Sequence, residues 1–351
     1  MSNSSATMVK DERFAMKSFD ERDTLFARLR LKEGTKEYDE YYQRNPACQE
    51  ADEAVRRLPH KLNYPPIVDD IENATDFFSF FNKIEDEREV AADVVEMPKE
   101  QRTRLIKEVA KYYGAVAVGV AQIKPEQLYS FHGSRSNYGI PVDKSFSHAI
   151  VLAAEVDKVL LSRAPHIEAS MATVKAYRDV AFTGANLALF IRSQGFRTFL
   201  NSVARYSGPM VPMAKAAGLG QIGLHKMLVT REFGARVRLG AVLTDMPLKA
   251  DGPVDFGLNA FCEKCGLCAK RCVGRAISKE TDFDEHKCIK AWKKMGTDCG
   301  VCMITCPFSQ GVDDAFLTEV YGQESSSIIE ERFGRRPYIE EPLPIVKWSK
   351  I

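Results

Sequence analysis

Eight of the nine cysteines lie between positions 262 and 306, and their spacing limits what this chain can fold around more than any other feature. The first run is Cys262-x2-Cys265-x2-Cys268-x3-Cys272. The second is Cys288-x10-Cys299-x2-Cys302-x3-Cys306, followed by Pro307. In chains that hold two 4Fe–4S clusters, three closely spaced cysteines bind one cluster and the fourth of the run binds the other. The pattern therefore predicts one cluster on Cys262, Cys265, Cys268 and Cys306, and a second on Cys272, Cys288, Cys299 and Cys302. A chain built this way moves single electrons. Zinc favours two C-x2-C pairs separated by a loop, and the first run here would crowd one tetrahedral ion. A disulfide framework belongs to small secreted domains, and nothing marks this chain as one. Val273 stands where the bacterial pattern often has a proline, which shapes a turn and is not a ligand. Cys48 stands alone and reads as a free structural thiol.

At 351 residues the chain suits one large domain plus a small one. A formal net charge of +1 leaves no electrostatic footprint for nucleic acid or an anionic membrane. The longest apolar stretches, such as Ala115–Ala121 and Ala149–Ala154, are too short to span a bilayer. The N-terminus has no apolar signal core and no twin-arginine pair, so a cytoplasmic location is expected.

Residues 1–100 read as polar and mostly helical, with amphipathic stretches at Glu37–Gln43 and Ala51–Leu58 broken by prolines. Phe77, Phe78, Phe80 and Phe81 form an aromatic knot suited to packing. A helix pattern runs from Pro98 to about Tyr113. Ala115–Ile123 and His148–Val156 read as buried strands of a sheet covered on both faces. A long helix, Met171–Ser193, leads to a strand at Arg197–Asn201 and a helix at Pro209–Ala217. Strands Met227–Thr230 and Ala235–Asp245 follow. The alternating order predicts an α/β sandwich with a mixed sheet and flanking helices, joined to a small cysteine module. The expected division is a helical region over 1–100, an α/β domain over 101–250, the two-cluster module over 251–312 and a tail over 313–351. That tail reads as one helix and a proline-rich run, Arg336–Pro344, that wraps back on the body.

Gly218-Leu219-Gly220-Gln221-Ile222-Gly223 matches G-x-G-x-x-G, but a helix precedes it and a strand follows. A dinucleotide fingerprint needs the reverse order, so a nicotinamide or flavin site is rejected. The glycines suit either a plain helix end or a bare backbone laid against a large flat ligand. On the strand after them, Ala235, Val237, Leu239, Ala241 and Leu243 point one way, and Arg236, Arg238, Gly240, Val242 and Thr244 the other. Two arginines beside a glycine mean solvent, an ion-pair network or a site. Tyr177, Ala181, Gly184, Ala188 and Ile191 fall on one stripe of the long helix, where a second helix or a ligand could approach. Tyr206, in a polar loop, is another candidate functional group.

Together these pieces resemble a known family. Met213–Gly223, then Glu232–Gly240 and Val242–Asp245, leading into the cysteine runs, are similar to the corrinoid and iron–sulfur reductases: reductive dehalogenases and epoxyqueuosine reductases. Arg22–Arg28 and Gly34–Tyr42 resemble the dehalogenase branch. The resemblance implies a nitroreductase-like α/β domain binding cobalamin base-off, beside a ferredoxin-like module with two 4Fe–4S clusters. The corrinoid pattern D-x-H-x-x-G is absent: Asp284-Glu285-His286 is followed by Lys287, Cys288 and Ile289. Gly218, Leu219, Gly220, Gln221 and Gly223, with Arg238 and Tyr206, become the expected corrin contacts.

The resemblance further implies that electrons pass through the clusters to cobalt, that halide leaves an organohalide, and that a tyrosine supplies a proton. Tyr177 best matches that donor. A phenol holds its proton at neutral pH, with a pKa of about 10, and a nearby cation lowers the barrier to giving it up. Arg236 is the first expectation for that cation and Arg238 the second, with Asn201 lining the cavity as a neutral donor. Asparagine cannot act as the general acid that epoxyqueuosine reductases carry at the corresponding strand end. That, and the near-neutral charge, favour a small organohalide over transfer RNA as the substrate. An external ferredoxin or reductase is the expected electron donor, and a homodimer remains open. Two alternatives stand: an epoxyqueuosine-reductase-like enzyme acting on transfer RNA, and a non-catalytic ferredoxin-like electron-transfer subunit. No motif reports which halide is taken, or that one is.

Overall fold

The computed structural model of the chain describes residues 19–58, 78–133, 137–203, 205–322 and 327–335. Four strands, β1 (Ala117–Gln122), β2 (His148–Glu155), β3 (Thr198–Asn201) and β6 (Val237–Thr244), form one sheet in the order β1-β2-β6-β3. β4 (Gln221–Ile222) and β5 (Leu228–Val229) form a separate pair. The helices before the sheet are α1 (Leu25–Arg30), α2 (Lys36–Arg44), α3 (Pro46–Arg56), α4 (78–87) and α5 (Lys99–Tyr112). Between the strands come α6 (Lys158–Ser162), α7 (Ile167–Ser193) and α8 (Met210–Ala216). The cysteine region holds α9 (Leu258–Cys265), α10 (Leu267–Lys270), α11 (Glu285–Met295), α12 (Val301–Thr305) and α13 (Pro307–Gln310), and α14 (Asp314–Gly322) and α15 (Ser327–Phe333) follow.

The apolar run of β2 is buried from Ala149 to Ala154 because helices cover both faces of the sheet. On one face Val151, Ala153, Leu239, Ala241 and Leu243 pack with Met213 and Ala214 of α8. On the other, Ile150, Leu152, Leu200 and Val242 meet Ile106 of α5 and Leu187 and Ile191 of α7. Each fully buried leucine or isoleucine there contributes roughly 1.5–3 kcal/mol relative to exposure. The alternation expected along β6 is therefore observed, and the face carrying Arg238 and Gly240 turns toward α7. A Cβ on Gly240 would lie 2.2 Å from Cγ1 of Val180, so the glycine lets the long helix sit directly on the strand.

The expected mixed sheet is corrected. Every paired strand in it runs antiparallel. The succession β2, α7, β3 does carry the chain between two strands of the same direction, but β6 inserts between them and pairs with both. Strand order along the chain suggested parallel neighbours; the later strand occupies the place between them.

The cysteine region shares one core with α6 and the first half of α7. Leu258, Phe261, Val301, Ile304 and Phe308 pack with Leu161, Ala169, Ala172, Ala176 and Val180. The N-terminal helices are tied to it by Asp52, which is fully buried and accepts from Arg28 Nε at 2.7 Å and from Tyr42 at 3.0 Å, with His286 Nε2 2.9 Å away. Among its described residues the tail holds two helices where one was expected. The proline-rich run Arg336–Pro344 and Phe77 lie outside the described residues. Among the described residues no helix is long and apolar enough to cross a membrane.

Candidate active site

The backbone sorts the cysteines into two groups. Cys262 and Cys265 sit on α9, which is bounded by Gly257 and Gly266 in left-handed conformations, and Cys268 sits on α10. With Cys306, at the junction of α12 and α13, these three line one small cavity. Cys272, Cys288 on α11, Cys299 and Cys302 on α12 line part of a second, larger cavity of about 510 Å³. These are the two quartets expected from the spacing. All nine cysteines are free of disulfides. Among the described residues no three His, Cys, Asp or Glu side chains converge closely enough to hold a single metal ion.

Burial pushes the thiols up, Cys265 to about 11, Cys268 to about 12 and Cys288 to about 11, and neighbouring cysteines of each group add to the rise. Thiolates in such surroundings need a compensating polycation, which is what an iron–sulfur cluster brings. The Ala276 N–H donates to Cys272 Sγ at 3.2 Å. The donor sets fit two clusters.

The larger cavity extends from its cysteine wall to a wall of phenols and one guanidinium. Tyr177 reaches it from α7, Arg238 from the start of β6, Tyr206 from the loop after β3, and Tyr129 from the segment after β1. Arg238 Cζ lies 5.3 Å from the centre of the Tyr177 ring, within cation–π range. Its terminal nitrogens are 3.2 Å from Thr173 Oγ1 and 3.4 Å from Met303 Sδ, while its buried Nε has no protein partner. Burial pushes Tyr206 well above an ordinary phenol, with Tyr177 and Tyr129 adding to the rise and Arg238 opposing it. The size, the apolar lining and the orphaned Nε fit a large cofactor bearing polar groups.

Several expected site residues are elsewhere, and these are corrections. Arg236 does not line the cavity. It precedes the strand, and its guanidinium bonds Glu155, with Nε donating to the Ser309 carbonyl at 2.7 Å. Arg238 is the cation beside Tyr177. Asn201 does not line the cavity either: it is fully buried, accepts from the Ser207 N–H, and places Nδ2 3.0 Å from Met210 Sδ. Its place is behind the loop, which it holds so that Tyr206 and Met210 face inward. Arg205 anchors the same loop on Glu85 of α4 at 2.6 Å.

Gly218, Leu219, Gly220, Gln221 and Gly223 line neither cavity. Gly218 ends α8 with φ +76°, and a Cβ there would meet the Gly252 carbonyl at 2.5 Å. A Cβ on Gly220 would lie 2.2 Å from the Val229 carbonyl. Leu219 packs in the core beneath α8, and the Gln221 side chain accepts from Phe256 N at 2.9 Å. The close approach that Gly218 and Gly220 allow is to the chain's own backbone, and at Gly223 it is to the side chains of His225 and Val229.

The residues that do face the large cavity come just after them. His225, Lys226, Met227 and Leu228 line it, as do Val237 and Leu239. Thr24, Leu25 and Phe26 close it from the N-terminal side, with Phe26 5.9 Å from Trp292 of α11 between ring centres. The only sequence signal for that wall was the run Arg22–Arg28, a mark of resemblance with no chemistry in it. His225 carries no motif at all. Burial holds it down at about 4, so it is neutral at physiological pH.

No family model matches the chain. It is 32% identical over 189 residues to the tetrachloroethene reductive dehalogenase of Sulfurospirillum multivorans, a match covering 48% of this chain and 37% of that protein. It is 27% identical over 271 residues to the tetrachloroethene reductive dehalogenase of Dehalobacter restrictus, covering 60% of this chain and 49% of that protein. Shorter similarity extends to epoxyqueuosine reductase from Salmonella typhimurium, 31% over 153 residues and 38% of each chain. A solved reductive dehalogenase studied for B12-dependent dehalogenation shares the fold, with a TM-score of 0.71 over 92% of this chain and 48% of that one, at 21% identity. The chain thus spans less than half the length of these relatives.

Proposed function

Because the chain is a homologue of the reductive dehalogenases, with a further relation to the epoxyqueuosine reductases, we propose that it reductively dehalogenates a small organohalide. The observation that carries this reading is a single cavity with four cysteines on one wall and Tyr177, Tyr206 and Arg238 on another. Electrons and a proton are both needed to replace halogen by hydrogen, and here their sources face one space.

Cys262, Cys265, Cys268 and Cys306 hold the outer cluster, and Cys272, Cys288, Cys299 and Cys302 the cluster that abuts the large cavity. A corrinoid bound in that cavity supplies the metal centre at which the carbon–halogen bond is reduced. His225–Leu228 and Val301–Met303 would line it, and Arg238 Nε, unpaired within the protein, would be available to one of its polar groups. Tyr177 Oη gives up its proton to the carbon that loses halide. The Arg238 guanidinium stabilises the phenolate that remains, which lowers the barrier to that transfer. The lining is largely apolar, with Lys226, Glu285 and Asp298 as further polar exceptions. Asn201 and Arg205 fix the loop that brings Tyr206 to the same wall.

The test is anaerobic reconstitution with iron, sulfide and cobalamin, followed by metal analysis and a halide-release assay. About eight iron and about one cobalt per chain are expected. Iron retained without corrinoid sinks the reading and leaves an electron-transfer subunit.

A further inference from the structure

His225 lines both cavities, and no other described residue does. It is thus shared by the cavity of each cysteine quartet. Met227 N–H donates to its Nδ1 at 3.2 Å, so Nδ1 presents a lone pair and the proton of the neutral ring is on Nε2. A nitrogen that carries a proton donates; it does not ligate a metal. A Cβ on Gly223 would lie 2.9 Å from the ring's Cε1 and 3.3 Å from its Nδ1. The last glycine of the turn therefore makes room for the imidazole, whose Nδ1 is engaged by Met227 N–H.

The two cavities differ in what else they offer. The large one has several polar side chains, Tyr177, Tyr206 and Arg238 among them. Apart from its cysteines, the small one is lined by Leu224, Leu258, Phe261, Gly266, Pro307 and Phe308, none of which has a polar side chain. His225 is the one side-chain hydrogen-bond donor there among the described residues.

We propose that His225 Nε2–H donates a hydrogen bond to the sulfur of the cluster held by Cys262, Cys265, Cys268 and Cys306, and so raises its reduction potential relative to the inner cluster. A donor to a cluster sulfur stabilises the more negative, reduced state, which is one of the means by which proteins set such potentials. Cluster potentials set in this way fix which of the two holds the electron before it moves inward. The inference rests on the two-cluster reading above.

The test is an EPR-monitored redox titration of the full chain, reconstituted with both metals, in wild type, His225→Leu and His225→Gln. The outer cluster is identified by its loss in Cys265→Ser. In His225→Leu its midpoint should fall by the equivalent of about tenfold in the reduction equilibrium, ~59 mV for one electron, and by clearly more than that of the inner cluster or corrinoid. His225→Gln keeps an N–H donor and should remain near wild type. An unmoved outer cluster, or a shift confined to the corrinoid, overturns the proposal. Should His225→Leu fail to assemble, pulsed EPR of the reduced wild type takes its place. An exchangeable proton and ¹⁵N-histidine coupling on the outer cluster support the bond; their absence, or ¹⁵N coupling on cobalt, overturns it. Iron content separates the two claims: too little iron for two clusters sinks both, whereas full iron with unmoved potentials sinks only the hydrogen bond.

Discussion

The Arg238 guanidinium lies against the Tyr177 ring, 5.3 Å from its centre, whereas Arg236, two residues earlier, is committed to Glu155 and to the Ser309 carbonyl. The pair meets because β6 turns Arg238 toward α7, where Thr173 and Tyr177 lie one turn apart. The two arginines therefore have separable consequences. Arg238→Met should leave the fold intact and cut dehalogenation on the order of 10²-fold, by removing charge stabilisation at the phenolate. Arg236→Met should cost about 1–3 kcal/mol in denaturant unfolding, the buried-pair penalty discounted because Glu155 is partly exposed. Equal losses of turnover in the two variants, at equal stability, would return Arg236 to the site.

Tyr177 and Tyr206 share the cavity, and substitution separates them. Tyr177→Phe should retain cobalamin absorbance and lose turnover by roughly 10²- to 10⁴-fold, the range for a lost general acid. Tyr206→Phe should change it far less, since burial raises that phenol and makes it a poorer acid. The reverse ranking in single-turnover assays would move the proton to Tyr206.

Gly220 tests what the glycine turn is for. If it contacted a corrin, Gly220→Ala would weaken cobalamin binding and leave the apoprotein's stability unchanged. Its Cβ would instead strike the Val229 carbonyl at 2.2 Å, so the apoprotein itself should lose about 1–3 kcal/mol. Thermal unfolding without cofactor decides between them.

Glu21 is buried, accepts from Gly133 N–H at 2.6 Å, and is pushed up to about 7 by desolvation. Its carboxyl keeps its proton in the folded state to higher pH than in the unfolded chain. The stability this brings is full below the usual carboxyl value of about 4.5 and is lost as pH rises through about 7. Glu21→Gln removes the penalty of the buried charge. It should stabilise the protein by up to about 3 kcal/mol above pH 8 and by nothing below pH 4. A gain that does not vary with pH would place its origin in packing.

The sequence by itself determined which cysteines share a cavity, the long helix, the strands of the buried sheet and the helix-then-strand order around Gly218–Gly223. Each rests on a local rule: ligand spacing along a short chain segment, 3.6- or 2-residue periodicity, or the order of helix and strand around a turn. Tyr177 and Arg238 were visible as candidates because their faces of helix and strand were readable. Which arginine meets the tyrosine was not, since Arg236 precedes the regular strand and its side chain follows the ion pair with Glu155. Nor was the antiparallel sheet, which depends on β6 entering between two strands already laid down. Asn201, the glycines and His225 show the same limit. A residue type beside a motif says that something approaches closely there, and only the folded chain decides whether that neighbour is a ligand, as the cavity at Tyr177 suggests, or the protein's own backbone, as at Gly220.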